Sequence, residues 1–206
     1  MELKDHIITE ATELLQRIGP TSMTMDMVAR SCGISKRTLY ETFPDKRTLV
    51  KDCLEMEHRR HNDHVKCIFE QSENCLMALF NVYAHVREAM RSRSRAFVAD
   101  LKRLYPELFA RQREQERHFV DTLAQVLTRA QAEGHVLPDI NTRIAAFLFV
   151  STMRNLHEND RVEEYGLPRI EVFDDAFLNF LRGIATNEGQ QVLNVHVDEL
   201  RKQRNT

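Results

Sequence analysis

Residues Ser22–Lys46 read Ser-Met-Thr-Met-Asp-Met-Val-Ala-Arg-Ser-Cys-Gly-Ile-Ser-Lys-Arg-Thr-Leu-Tyr-Glu-Thr-Phe-Pro-Asp-Lys. Their caps and breakers predict two short helices joined by a tight turn. Thr24 is an N-cap, its hydroxyl placed to accept from the free backbone N–H groups at the start of a helix carrying Met27, Val28 and Ala29. Gly33 closes that helix, because glycine takes the left-handed C′ conformation at little cost. Ser35 caps again two residues later, so the second helix opens on Lys36, Arg37 and Thr38 and ends before Pro44. Donors therefore gather at the exposed N-terminal end of this helix, where a recognition helix meets base edges. The stretch reads as a helix-turn-helix for DNA.

Working outward, a first helix over about Leu3 to Ile18 repeats apolar residues at 7, 11, 14 and 18, with 8 and 15 alongside, and Gly19-Pro20 stops it. Its apolar face predicts packing across the helix-turn-helix, with Leu39, Tyr40 and Phe43 in the shared core. Asp45 then caps a fourth helix, from about Lys46 to Phe69. Between Arg30 and Arg47 five bases stand against two acids, on a 206-residue chain of net charge -2. A small basic face on a slightly acidic body suits one defined DNA footprint rather than a surface coated with nucleic acid.

Six glycines, five prolines and few β-branched runs favour an all-α fold. The four cysteines, at 32, 53, 67 and 75, form no C-x-x-C pair and read as small apolar residues in a reducing compartment, so the expected location is cytoplasmic. The N-terminus has no basic region followed by an apolar run, and no apolar stretch approaches the roughly 20 residues needed to span a bilayer, so no membrane partner is expected.

These residues resemble the tetracycline-repressor (TetR) family of helix-turn-helix regulators. The resemblance spans Ile7 to about Leu54. It rests on the amphipathic first helix, Thr24, Val28-Ala29, Gly33-Ile34-Ser35, Lys36-Arg37-Thr38-Leu39-Tyr40 and Phe43-Pro44-Asp45-Lys46. Met27 departs from the family pattern, which often has an acid there. The resemblance implies that Thr24 and Tyr40 contact phosphates, that Lys46 does so from the start of the fourth helix, and that Ser35, Lys36, Arg37 and Thr38 approach bases or backbone in the major groove. Side-chain chemistry agrees in outline: a guanidinium bonds two acceptors on one guanine, which makes Arg37 the base reader. Lys36 and Lys46 suit point-charge phosphate contacts. The alternative for Thr24 and Tyr40 is that they merely cap and pack.

On the fourth helix Val50, Cys53 and Ile68 share a stripe with Glu57, Arg60 and His64. This reads either as a hydrogen-bond network responsive to an effector or as a section bridging solvent. His58, His61, His64 and Cys67 sit at i+3 steps, which rotate over roughly 180° of helix face and do not converge on one ion, so no metal site is assigned. Further helices are expected over about Asn74 to Ser92, Arg95 to Leu104, Tyr105-Pro106 to Ala132, Asn141 to Asn159, Phe173 to Ala185 and Gln190 to Lys202, with a loop from Glu163 to Arg169. Phe109, Phe119, Leu123 and Leu127 mark the inner face of the long one. The helix from Asn141 is apolar nearly all round, so one side is expected to meet the core and another a partner.

The expected organisation is a helix-turn-helix DNA-binding domain over 1–46 and a larger helical effector-binding and dimerisation domain over 47–206, with the fourth helix as connector. The expected function is a homodimeric transcriptional repressor on a palindromic operator of double-stranded DNA, released by a small-molecule effector. A dimer follows from symmetry, since one short helix reads too few bases. Candidate effector residues are Phe80, Tyr83, Arg87, Phe97, Phe119 and Met153, with His64 as a polar end; each aromatic or Met also fits ordinary core. The alternatives are a constitutive DNA- or partner-binding module and a metal-responsive regulator. No Ser/His/Asp, Cys/His or dinucleotide-loop constellation supports an enzyme, and no cofactor is expected.

Overall fold

The computed structural model describes residues 2–92, 94–158 and 161–194. Among the described residues the helices α1 (Leu3–Ser22), α2 (Met25–Ser31), α3 (Lys36–Thr42), α4 (Lys46–Gln71), α5 (Cys75–Ser92), α6 (Arg95–Leu104), α7 (Pro106–Ala132), α8 (Thr142–Glu158), α9 (Arg161–Glu164) and α10 (Arg169–Ile184) follow in order. Residues 187–194 are also helical, and an isolated antiparallel bridge joins Val136 to Ala185. Among the described residues no helix is long and apolar enough to cross a membrane.

Local chemistry sets most boundaries. Gly19, at φ 79°, breaks α1 where Gly-Pro was expected to, and one further turn reaches Ser22. Asn74 Oδ1 accepts from Met77 N at 2.9 Å to open α5, and Asn141 Oδ1 accepts from Ile144 N at 3.1 Å to open α8. Two expectations change. The loop expected from Glu163 begins inside a helical turn, α9, and α10 starts at Arg169, a turn before Phe173, because Pro168 supplies the fixed φ of a helix entry. Of the expected last helix, the part from Val195 to Lys202 lies outside the described residues, as does Asn159, the expected end of the helix from Asn141.

The chain divides into two compact units. The first comprises Met1–Lys66 and Ala89–Arg113. Its core joins Ile7, Ala11 and Leu15 of α1 to Val28, Leu39, Phe43, Leu49, Val50 and Cys53, and also to Phe97, Leu101 and Tyr105. The unit built around the helix-turn-helix therefore extends well past residue 46: α1 is apolar on two sides, and α6 covers the second. Glu57 and Arg60, two of the three polar members of the α4 stripe, face α1, where Glu57 accepts from Gln16 Nε2 and Arg60 Nη2 donates to Thr9 Oγ1 at 3.4 Å.

The second unit comprises Cys67–Glu88 and Glu114–Thr206. Leu76, Leu79, Phe80 and Tyr83 of α5, Leu123, Val126 and Leu127 of α7, Ala146 and Val150 of α8, and Phe173, Phe177 and Leu181 of α10 are buried in it. Leu123 and Leu127 thus occupy the inner face of α7 as expected. Phe119 does not, being 41% exposed, and the side chain of Phe109 lies outside the described residues.

Candidate nucleic-acid interface

Two cap hydrogen bonds hold the helix-turn-helix. Thr24 Oγ1 accepts from Met27 N at 3.2 Å, and Ser35 Oγ accepts from Thr38 N at 3.1 Å. Gly33 stands between them at φ 66°, a backbone conformation that side chains strain, and no heavy atom lies within 4 Å of where its Cβ would be. The glycine is there for its dihedral and not for space. Ser35 and Thr38 also bond hydroxyl to hydroxyl at 2.8 Å, which fixes both at the N-terminus of α3.

One side of α3 is sealed by Leu39 and Phe43, and the other faces solvent. Exposed along α3 are Lys36, Arg37 and Tyr40. Tyr40 is 50% exposed, so it is not a member of the shared core expected from its neighbours: one residue from Leu39 is a rotation of about 100°, enough to carry it off the buried face. Lys36 is paired with Asp26 of α2, and Arg37 Nε donates to Glu41 Oε1 at 2.9 Å. Neither carboxylate was singled out from the sequence. The i,i+4 spacing of Arg37 and Glu41 was the available signal, whereas Asp26 reaches Lys36 only through the turn.

Lys46 opens α4. Its Nζ donates to Thr21 O at 3.4 Å, and burial holds the ammonium pKa below its ordinary value, with Asp100 pulling the other way. Asp45 caps the same helix, accepting from Thr48 N at 2.7 Å; those bonds hold its carboxyl below the usual range. Behind this corner, Thr21 N donates to Asp100 Oδ2 at 3.0 Å, and Arg103 Nη2 donates both to Thr21 Oγ1 at 3.1 Å and to Asp100 Oδ1 at 3.0 Å. The bonds from Thr21 keep the Asp100 carboxyl ionised below its ordinary pKa. Arg47 reaches Leu104 O at 3.4 Å, pairs with Glu107 and lies 5.4 Å from the centre of the Tyr105 ring. Residues 100–107 thus brace the entry to α2 and the start of α4, between which α3 is mounted.

The arrangement is a rigidly capped short helix presenting two cations, a phenol and two hydroxyls to solvent, backed by a continuous apolar core. It offers donors to phosphate and base edges. Residues 7–53 match the family model described as bacterial regulatory proteins, tetR family, and residues 70–158 match that of the tetracyclin repressor-like C-terminal domain. The chain belongs to the TetR family. It is therefore a DNA-binding transcriptional regulator and not an enzyme. The HTH-type transcriptional regulator UidR of Escherichia coli is 23% identical over 186 residues, covering 89% of this chain and 93% of that protein. A transcriptional regulator from Cytophaga hutchinsonii shares the fold at TM-score 0.71 and 18% identity over 88% of this chain and 98% of its own. A Saccharomonospora viridis regulator, solved in complex with choline, does so at 0.70 and 15% identity, over 89% and 98%.

The candidate effector residues fall in different places. Phe80, Tyr83 and Arg87 come together, buried along α5 in the second unit. The Tyr83 ring stacks on Phe177 at 4.0 Å and on Phe173 at 5.4 Å, with Phe80 5.9 Å away. Arg87 Nε donates to Asp174 Oδ1 at 2.8 Å, and the Tyr83 hydroxyl donates to the same oxygen. Asp174 went unnoticed in the sequence, although an acid among Phe173, Phe177 and Leu178 on one helix face was a readable anomaly. Phe97 is buried in the core of the first unit, to which His64, exposed on α4, also belongs. Phe119 faces solvent on α7, and Met153 is half-buried on α8.

Proposed function

We propose that this TetR-family regulator is a homodimeric repressor that binds a palindromic operator and leaves it when a small-molecule effector occupies its helical domain. DNA contact falls to residues within 1–46: Arg37 reads guanine, Lys36, Tyr40 and Thr24 meet phosphates with Lys46, and Ser35 and Thr38 approach the backbone or base edges at the helix start. Exposure of Lys36, Arg37 and Tyr40 on a capped helix supports these roles. The protein acts in the cytoplasm, where its DNA lies.

The observation that carries the dimeric reading is a stripe on α8. Ile144, Phe147 and Leu148 are each 57% exposed, although they occupy the i, i+3, i+4 positions of a helix whose Ala145, Ala146 and Val150 are buried. Contiguous large apolar groups left in water mark an interaction surface. A two-fold axis there supplies a second recognition helix for the second half-site. Phe147→Glu should give a monomer in sedimentation equilibrium and lose operator binding with its fold intact by circular dichroism; a dimeric Phe147→Glu protein refutes this face.

For the effector, the grouping of Phe80, Tyr83 and Arg87 with Asp174 supports a ligand that pairs an aromatic or aliphatic body with one polar end. The choline complex of the Saccharomonospora viridis regulator is a precedent for small-molecule binding by this fold. The effector releases DNA only if it binds the DNA-incompetent state more tightly. A compound that both raises the thermal midpoint and frees operator DNA establishes this step. Operator binding unmoved by every compound that binds the protein supports the constitutive alternative.

A further inference from the structure

We propose that Glu41 is a positioning residue that aims Arg37 at a guanine and thereby sets the sequence preference of α3; this rests on the reading that α3 enters the major groove. With Leu39 and Phe43 sealing one side, steps of 100° per residue place Arg37 and Glu41 on the opposite crest, and their side chains are 88% and 61% exposed. Glu41 therefore faces the DNA that α3 meets. A carboxylate there repels phosphate and lowers affinity for every duplex, so its presence calls for a return in selectivity.

The hydrogen bond shows where that return lies. Glu41 Oε1 accepts from Arg37 Nε at 2.9 Å, which engages the Nε edge of the guanidinium and leaves the Nη1/Nη2 end out of that bond. That end is the fork that pairs with O6 and N7 of guanine. A tethered fork meets one base geometry, whereas a free arginine on the same crest swings between bases and phosphates. Helix stabilisation is a poor account of the pair, since an arginine placed N-terminal to its glutamate is the weaker i,i+4 order. Lys36, paired with Asp26 of α2, is held from a different helix and stays a point charge.

The test compares wild type, Glu41→Ala and Glu41→Gln on three kinds of duplex: an operator selected from a random library by the wild-type protein, the same operator with each guanine replaced in turn, and random sequence. Glu41→Ala should bind random duplex more tightly and yet lose roughly two- to fivefold of its discrimination at one guanine position, a size set by the modest worth of exposed ion pairs. Glu41→Gln, whose amide oxygen still accepts from Nε, should keep most of that discrimination while gaining the same non-specific affinity. Tighter binding to all three kinds of duplex with discrimination unchanged makes Glu41 a bare charge and overturns the proposal. So does uniformly weaker binding, which marks a merely structural role. A wild-type protein that selects no sequence overturns the DNA reading itself, a different result from either of these.

Discussion

Replacing Asp174 by alanine removes the carboxylate opposite Arg87 inside the second unit. The two side chains are 5% and 3% exposed, so the guanidinium stays buried without this counter-charge, and the bond from the Tyr83 hydroxyl to Asp174 is lost as well. Removing one partner of a buried pair costs about 3 to 5 kcal/mol, most of it the penalty for the charge left behind. For a domain of this size that lowers the thermal midpoint by roughly 6 to 20 °C. Urea unfolding at fixed protomer concentration, followed by circular dichroism, measures the free-energy loss, and a thermal melt under the same conditions measures the midpoint. The paired replacement Arg87→Met with Asp174→Leu removes both charges into the same aromatic setting beside Phe173 and Phe177, and should recover most of the loss. Asp174→Ala within about 1 kcal/mol of wild type would mean that the pair is hydrated, and the reasoning from burial fails.

Thr24→Ala and Ser35→Ala should each cost about 1 kcal/mol of stability, read as a shift in urea midpoint, because each removes the acceptor of a helix-opening N–H; unchanged midpoints contradict the caps. Gly189→Ala should destabilise by roughly 1 to 3 kcal/mol, since the new Cβ would run into the backbone carbonyl of His135, which already accepts from Thr186 N at 3.0 Å; an unmoved melting curve shows that the approach is not so close. Burial pushes the Cys53 thiol up to about 12, from an ordinary value near 9.0. The unfolded thiol therefore ionises first, and the stability it contributes is complete below about pH 9 and lost as pH rises towards 12. Cys53→Ala should flatten that alkaline decline by up to about 1.4 kcal/mol per pH unit, and parallel curves for the two proteins refute it.

The parts of the fold legible in the sequence are those governed by neighbours in the chain. Thr24, Ser35 and Asp45 cap because a hydroxyl or carboxylate reaches an N–H three residues on, and Gly33 turns because its backbone alone allows it. The exposed cations of α3 follow from the same local geometry. What was hidden depends on residues far apart in sequence. Asp100 meets Thr21 across 79 positions, and Arg87 meets Asp174 across 87. Nothing in the periodicity of α6 announces that Phe97 completes the core around α1, so an aromatic on an amphipathic helix read equally well as pocket wall. Phe119 erred the other way: a phenylalanine at helical spacing from Leu123 and Leu127 lies far enough round α7 to face water. Tyr40 belongs to both lessons, its position in the motif being plain and its exposure decided by one step of rotation from Leu39.

The central claim, that α3 reads a two-fold symmetric DNA sequence through Arg37, is tested most directly by selecting bound duplexes from a random library with wild type, Arg37→Ala and Lys46→Ala. Wild type should enrich a palindrome whose half-site centres lie about 34 Å apart or a multiple of it. Arg37→Ala should still bind DNA but enrich no guanine at the matching position, while Lys46→Ala should keep the sequence and show a salt dependence shallower by about one charge. Enrichment of no sequence by wild type, or of the same sequence with equal affinity by Arg37→Ala, contradicts the account.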